Sequence, residues 1–241
     1  MKYIINERQY RLLTEQEEQI LRVPFAAFGN DWDVLQRFLE RRGNPPYEIM
    51  DDLDLSFSKI ESLGNLTSVG GFLNLYKSII EDLGNLTSVE GYLNLGGSKI
   101  QSLGNLTSVG GDLDLEYSNV EDLGNLTSVG GYLNLEGSTI ESLGNLTSVE
   151  GDLDLRDTNI KSLGNLTSVE GDLYIYGTEI ESLGNLTSVG GDLGLTDSSI
   201  EDFGNLTSVE GDLYLGITPL SEKYTEEEIR SMVEVGGEVI L

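Results

Sequence analysis

From residue 53 onward, apolar residues come in pairs separated by one variable residue: Leu53/Leu55, Leu73/Leu75 and on to Leu213/Leu215, with Ile175 once in place of leucine. That alternation is the period of a short strand with one buried face. Between one pair and the next stand Ile60, Leu63, Leu66 and Val69 or their equivalents, so each 20-residue segment holds six inward apolar side chains. Gly-Asn-Leu-Thr-Ser-Val closes each segment, eight times between 64–69 and 204–209, with no insertion or deletion. A fixed period of this length predicts a solenoid with one coil per repeat. Stacked at about 4.8 Å, the leucine pairs would form a parallel sheet along one face. The predicted fold class is a mainly β solenoid.

The ends depart from the repeat. In residues 1–48, Asn6 predicts the start of a short helix through Leu13. Thr14 with Glu17 reads as a capping box for a helix reaching about Arg22, stopped by Pro24. A clearer amphipathic helix is predicted from Asp31 to Arg42, with Trp32, Leu35, Phe38 and Leu39 on one face and Gly43 at its C-terminal cap. A solenoid's first coil has an open apolar end, so this block is expected to be a helical cap; a separate docking module is the alternative. Ile49 lies 20 residues before Val69, so the coil register begins there, and the solenoid is expected over 49–220. In 221–241 a helix over Thr225–Val233 precedes a last Val-Gly-Gly-x-Val-x-Leu. Leu213 and Val239 are 26 residues apart, which makes this C-terminal cap a helix inserted before a final strand.

The invariant polar residues read as parts of the coil. Gly64 and Gly71 recur in eight copies each, which indicates positive φ or a corner too tight for a Cβ. Ser58 through Thr218 form a column of hydroxyls and Asn65 through Asn205 a column of amides. Such columns are expected to satisfy backbone groups at corners. Asn65-Leu66-Thr67 and its copies are formal glycosylation sequons, read as incidental because the coil itself uses the amide.

The run Leu-x-Leu-x-x-Ser/Thr-x-Ile-x-x-Leu-Gly-Asn-Leu-Thr-x-Val resembles leucine-rich repeats, with Ser/Thr where that family prefers Asn or Cys. The family's first leucine would fall at 70 or 90, where Gly or Glu stands. Val-x-Gly-x-Leu-x-Leu is instead similar to the receptor L-domain variant, a right-handed, β-helix-like relative. The resemblance covers about 49–241 and implies binding through the strand face. Met1–Glu15 and the near-identical repeats also resemble uncharacterised repeat proteins of environmental tailed phages and bacteria.

Composition narrows function. The 241 residues carry a net charge of −28 and contain neither histidine nor cysteine. Residues 1–51 hold 7 basic and 9 acidic side chains, and residues 52–241 hold 7 and 33, so the charge sits on the repeats. An acidic surface repels phosphate backbones and anionic headgroups, which argues against nucleic acid and membrane as partners. It also serves solubility, whether or not a cationic partner exists. Missing histidine removes the commonest catalytic base and metal ligand, missing cysteine removes disulfides and thiolate metal sites, and no one-off set of residues marks a catalytic site. A non-enzymatic protein without cofactor is therefore expected. The first residues lack the apolar stretch of a signal peptide and no run is long enough to span a bilayer, so a cytoplasmic location is expected, or a virion if the chain is phage-encoded.

The outward positions of the leucine-pair strand vary where the rest of the repeat does not. They include Phe72, Tyr76, Tyr92, Asp112, Asp114, Tyr132, Asp154, Arg156, Tyr174, Tyr176 and Tyr214. Tyrosines among carboxylates on a rigid sheet suit a protein-binding face. Drift of unconstrained positions, with aromatics stacking to stabilise the sheet, explains the same variability. Asp152, Asp172, Asp192 and Asp212 fall in consecutive coils, and such a column could attract calcium, although the calcium-binding Gly-Gly-x-Gly-x-Asp nonapeptide is absent. The other assembly reading is end-to-end stacking through the terminal strand near Leu241.

Overall fold

The structure, a computed structural model, describes residues 20–241. The chain winds into a parallel β-solenoid whose coils repeat every 20 residues, with two sheets rather than one. Sheet A has 11 strands, from Leu21–Val23 through Tyr47–Ile49 and the Ser-Val pairs to Glu234–Val235. Sheet B has 10, from Leu53–Asp54 through the Leu-x pairs to Val239–Ile240. The conformation of the back of each coil, open in the sequence, is thus extended at Ser68–Val69 and its copies. A third side holds only isolated bridges, such as Ser62 with Asp82 and Ser182 with Asp202.

The pairing is strictly periodic: Val69 faces Val89, and Leu73 faces Leu93. Each inward residue therefore packs on its own equivalent, and the leucines, isoleucines and valines of all coils form one continuous core. The two invariant glycines answer to different constraints. Gly64 and its equivalents have φ between 57° and 61°, the left-handed region that glycine enters without a Cβ penalty. Gly71 has ordinary φ, but a Cβ there would lie 2.1 Å from Asp52 Oδ1 and 2.9 Å from Asp52 N. The corner leaves no room.

At the N-terminal end, Asp31 caps the Trp32–Glu40 helix by accepting from Val34 N at 3.0 Å. Leu35 and Leu39 are buried with Val23, Phe25 and Tyr47 in the same core as the first coil. The helix predicted to reach Arg22 needs correction at its end, since Leu21–Val23 is a strand pairing in parallel with Tyr47–Ile49. Sheet pairing decides the conformation here over the local helix signal. The starts of the helices placed at Asn6 and Thr14 lie outside the described residues. At the other end the predicted helix is present at Glu226–Met232, capped by Thr225, and a short helix at Pro219–Lys223 precedes it. Leu213 pairs with Val239, so the 26-residue step is real and the insertion leaves both sheets in register. No helix among the described residues is long and apolar enough to cross a membrane.

The hydroxyl column divides by residue type. Thr158, Thr178 and Thr218 donate to the carbonyls of Leu155, Ile175 and Leu215 at 2.7–2.9 Å. The hydroxyls of Ser58, Ser78, Ser98, Ser118, Ser138 and Ser198 are buried without a protein partner. The expectation that the whole column satisfies backbone groups therefore holds for its threonines only. A β-branch restricts χ1 and holds the threonine oxygen toward the carbonyl three residues back, a restriction serine lacks. Ser138→Thr, directly beside Thr158 in the stack, is expected to stabilise the protein by about 1 kcal/mol. Thermal unfolding should show the midpoint rising by about 2–4 °C; an unchanged or lower midpoint would mean that the added methyl does not fit.

Candidate functional site

The outer face of sheet B is built from three columns, and two of them have structural duties that their variability hides. In the first, an aspartate accepts the N–H of the next coil at the same position. Asp52 Oδ1 takes Phe72 N, Asp112 takes Tyr132 N, and Asp152, Asp172, Asp192 and Asp212 take the N–H of residues 172, 192, 212 and 238, at 2.7–3.1 Å. A backbone N–H stabilises a carboxylate as a cation would, so the stacked aspartates find their partners within the coil. Among the described residues no group of three or more carboxylates is arranged to hold a metal ion.

In the second column, the side chains at 54, 74, 94, 114, 134 and 154 are Asp or Asn, and each accepts the N–H two residues on at 3.0–3.1 Å. This bond closes a turn that leads into a left-handed corner, where every residue from Phe57 to Ile217 at 20-residue steps has φ between 50° and 69°. Three of the nine corner residues are glycine. Phe57, Tyr117 and Ile217 adopt the same conformation and are 68, 62 and 77% exposed. Sequence reasoning passed over these large exposed corner residues, though the exchange of Gly97, Gly137 and Gly177 with bulky residues was a legible sign of positive φ.

The second column breaks at 174, 194 and 214, where Tyr, Gly and Tyr replace Asp or Asn. There a cluster forms. Asp154, 1% exposed although it is on the outer face, is covered by its neighbours. It accepts from Arg156 Nε at 2.9 Å and from Tyr132 Oη at 3.2 Å, while Arg156 also reaches Glu136 at 2.8 Å. The guanidinium lies 5.8 Å from the Tyr174 ring centroid, and Tyr174 stacks on Tyr176 at 5.9 Å and 25°. Tyr176 lies across Gly194, where a Cβ would come 2.2 Å from the phenol oxygen. The ring lies in the space that a side chain at 194 would take. Tyr174 and Tyr214 donate their hydroxyls to Asp172 and Asp212, at 2.6 and 3.3 Å.

The remaining predicted residues gather at the other end of the same face. Phe72 and Tyr92 stack at 4.8 Å and 6°, Phe57 meets Tyr76 edge to face at 5.6 Å, and Lys77 lies over the Tyr76 ring at 4.8 Å. Asp112 and Asp114 stand between the two groups, and Asp114 accepts from Asn94 Nδ2 at 3.3 Å. The structure thus resolves the predicted set into two aromatic groups. Glu136 and Gly194, which the sequence reading did not single out, complete the second. Comparison with models of known protein families gives no match, and comparison with curated proteins gives none either.

Charge and burial keep the cluster's phenols protonated. Tyr132 is raised above its ordinary 10.0 by burial and by the Asp154 charge, and Tyr176 by burial and Asp192. Tyr174 is raised by its bond to Asp172 and by burial. Arg156 is raised by its hydrogen bonds to Asp154, which keeps it charged. A native pKa above the unfolded value means that the folded state keeps the proton longer. The stabilisation is complete below pH 10 and is lost as pH rises through the folded values. Urea midpoints are expected to be level from neutral pH to about pH 10 and to fall above it, with phenolate absorbance lagging behind that of the urea-unfolded chain. Coincident phenolate titrations in folded and unfolded chains would remove this coupling.

Proposed function

We propose that this chain is a non-enzymatic protein-binding scaffold that reads its partner through the outer face of sheet B, centred on Tyr174, Tyr176 and Arg156. The observation that carries the reading is the break in the second column. At six consecutive coils, from 54 to 154, the side chain closes its own turn by a hydrogen bond, and at 174, 194 and 214 that bond is given up. Drift would exchange Asp for Asn at no cost. It would not by itself replace them with Tyr, Gly and Tyr, with the glycine shaped to fit a neighbouring ring. A local structural rule broken in one place, with a preorganised surface in return, is what a recognition site looks like. Tyrosines with fixed rings and an arginine held by two carboxylates are the side chains that dominate binding energy at protein interfaces.

The non-enzymatic reading rests on residue types: no histidine or cysteine is present, and many outward carboxylates are committed to backbone N–H groups. The acidic charge favours a protein partner over nucleic acid or membrane. Kinship with leucine-rich repeats, and with the receptor L-domain variant in particular, is supported by the extended second side of the coil at Ser68–Val69 and its copies. A phage or bacterial source, and with it a cytoplasmic or virion location, is the reading that fits the repeat's likeness.

Capture from the native host tests the binding proposal. Wild-type protein on a solid support should retain a defined protein that Tyr174→Ala/Tyr176→Ala retains at least about tenfold less, as expected when residues worth about 1–3 kcal/mol are lost. The far-UV circular dichroism of the two should match. Equal retention by the double variant would refute the assignment of this face.

A further inference from the structure

Among the described residues, each edge of sheet A meets a residue that stands outside the repeat. In the interior of the sheet the residue after each strand donates its N–H to the carbonyl ending the preceding strand. Gly70 gives to Ile49, Glu90 to Val69 and Gly236 to Val209, at 2.8–2.9 Å. These bonds fasten one coil to the next. Among the described residues Leu21–Val23 is the first strand of the sheet, and Met50 donates to Val23 O at 3.1 Å. The residue aligned with Met50 on that first strand is Pro24. Proline has no N–H, so this strand lacks, at that position, one of the donors by which the later coils hold their predecessors.

The opposite edge needs its acceptors blocked. Val235 pairs with Val209, whose carbonyl takes Gly236 N, and Gly237 donates to the Gly211 carbonyl at 2.9 Å. A further coil would therefore attach through the carbonyls of Val235 and Gly237. One side chain occupies both. Arg230 donates through one terminal nitrogen to Val235 O at 3.0 Å and through the other to Gly237 O at 2.9 Å, and Glu226 holds its Nε at 2.9 Å. The guanidinium fork takes the place of two backbone amides. Arg230 belongs to the inserted Glu226–Met232 helix, so the 26-residue step between Val209 and Val235 delivers the group that covers this edge.

We propose that the Glu234–Gly237 edge is a strand-addition surface for a second copy of this chain, held shut by Arg230, and that Pro24 closes the complementary edge. An uncovered strand edge is a template for pairing, and these coils are built to pair with copies of themselves. The inference concerns the ends of the array and stands independently of what the face of sheet B binds.

Sedimentation velocity on the full chain tests it, over a concentration series in salt high enough to screen the acidic charge. Wild type is expected to remain at its monomer mass of 26.3 kDa. Arg230→Ala should show a mass that rises with concentration to that of a dimer or beyond. Adding Pro24→Ala, which restores the missing donor, should bring the same rise at about tenfold lower concentration, the effect of a hydrogen bond or two. A folded Arg230→Ala protein that stays at the wild-type mass throughout overturns the proposal, as does a wild type that associates as readily as the variant. If Arg230→Ala loses its β circular dichroism, Arg230→Lys decides. A single ammonium cannot cover both carbonyls as the fork does, so this variant must associate more than wild type, and a monomer overturns the proposal.

Discussion

Everything in this molecule depends on residue i lying over residue i+20. The ladder bonds between coils run from backbone to backbone, and within the repeats each forms only if the coil above has the same length as the coil below. A one-residue slip would turn every inward leucine of a strand to solvent, and the core has no layer that could absorb the error. The irregular steps show how the register is protected, and the first is the 26 residues between Leu21 and Tyr47, which place the Trp32–Glu40 helix outside the ladder. The shift between Tyr47 and Glu48 falls within the first coil, before the repeat begins, and the step to Val239 is taken up by helices outside both ladders. Between them the chain keeps one length. The near identity of the repeats is a consequence of that demand, since a residue whose neighbours above and below are its own equivalents is solved once for all coils.

That demand explains which parts of the structure were legible in the sequence. The leucine pairs announce sheet B because alternation is a property of residue order, and the 26-residue step announces the inserted helix because it is a count. The corner at Phe57 and its equivalents is a different matter. Its left-handed conformation is imposed by the turn around it, on Phe, Lys, Tyr, Asp and Ile as on Gly, so only the recurrence of glycine at 97, 137 and 177 reports it. The strand at Leu21–Val23 was hidden for a related reason. Three residues pair with Tyr47–Ile49 because the chain before the repeats brings them there, and nothing local in Leu-Arg-Val distinguishes that from the end of a helix. The predicted site residues were legible as positions and not as roles. Asp154 looked outward and exposed by alternation, yet Arg156 and Tyr132 bury it.

The acidity of the repeats has a structural component of the same kind. Aspartates at 52, 112, 152, 172, 192 and 212 bind the N–H of the next coil, and those at 54, 114 and 154 bind the N–H of their own turn. In this second column Asn does the same work at 74, 94 and 134, so the duty is to accept a hydrogen bond and the charge is incidental to it. These nine aspartates are acceptors that a coil with few regular strand residues requires, and their charge carries no information about a partner.

The informative residues are the exceptions, and their placement is not random. On sheet A the outward residue is serine at every repeat from 68 to 208, bounded by Glu48 at one end and Glu234 at the other. A surface so uniform has little with which to distinguish one partner from another. Among the described residues its departures from the repeat, Arg22, Pro24, Glu48, Arg230 and Glu234, all lie at or beside its edges. Sheet B has the opposite arrangement. Its edges carry no such block among the described residues, and its outer face collects Arg156, Tyr174, Tyr176, Gly194 and Tyr214 within a few adjoining coils. The same 20-residue unit therefore serves two ends: one sheet is kept uniform, and the other is allowed to differ where a rigid backbone can present the difference.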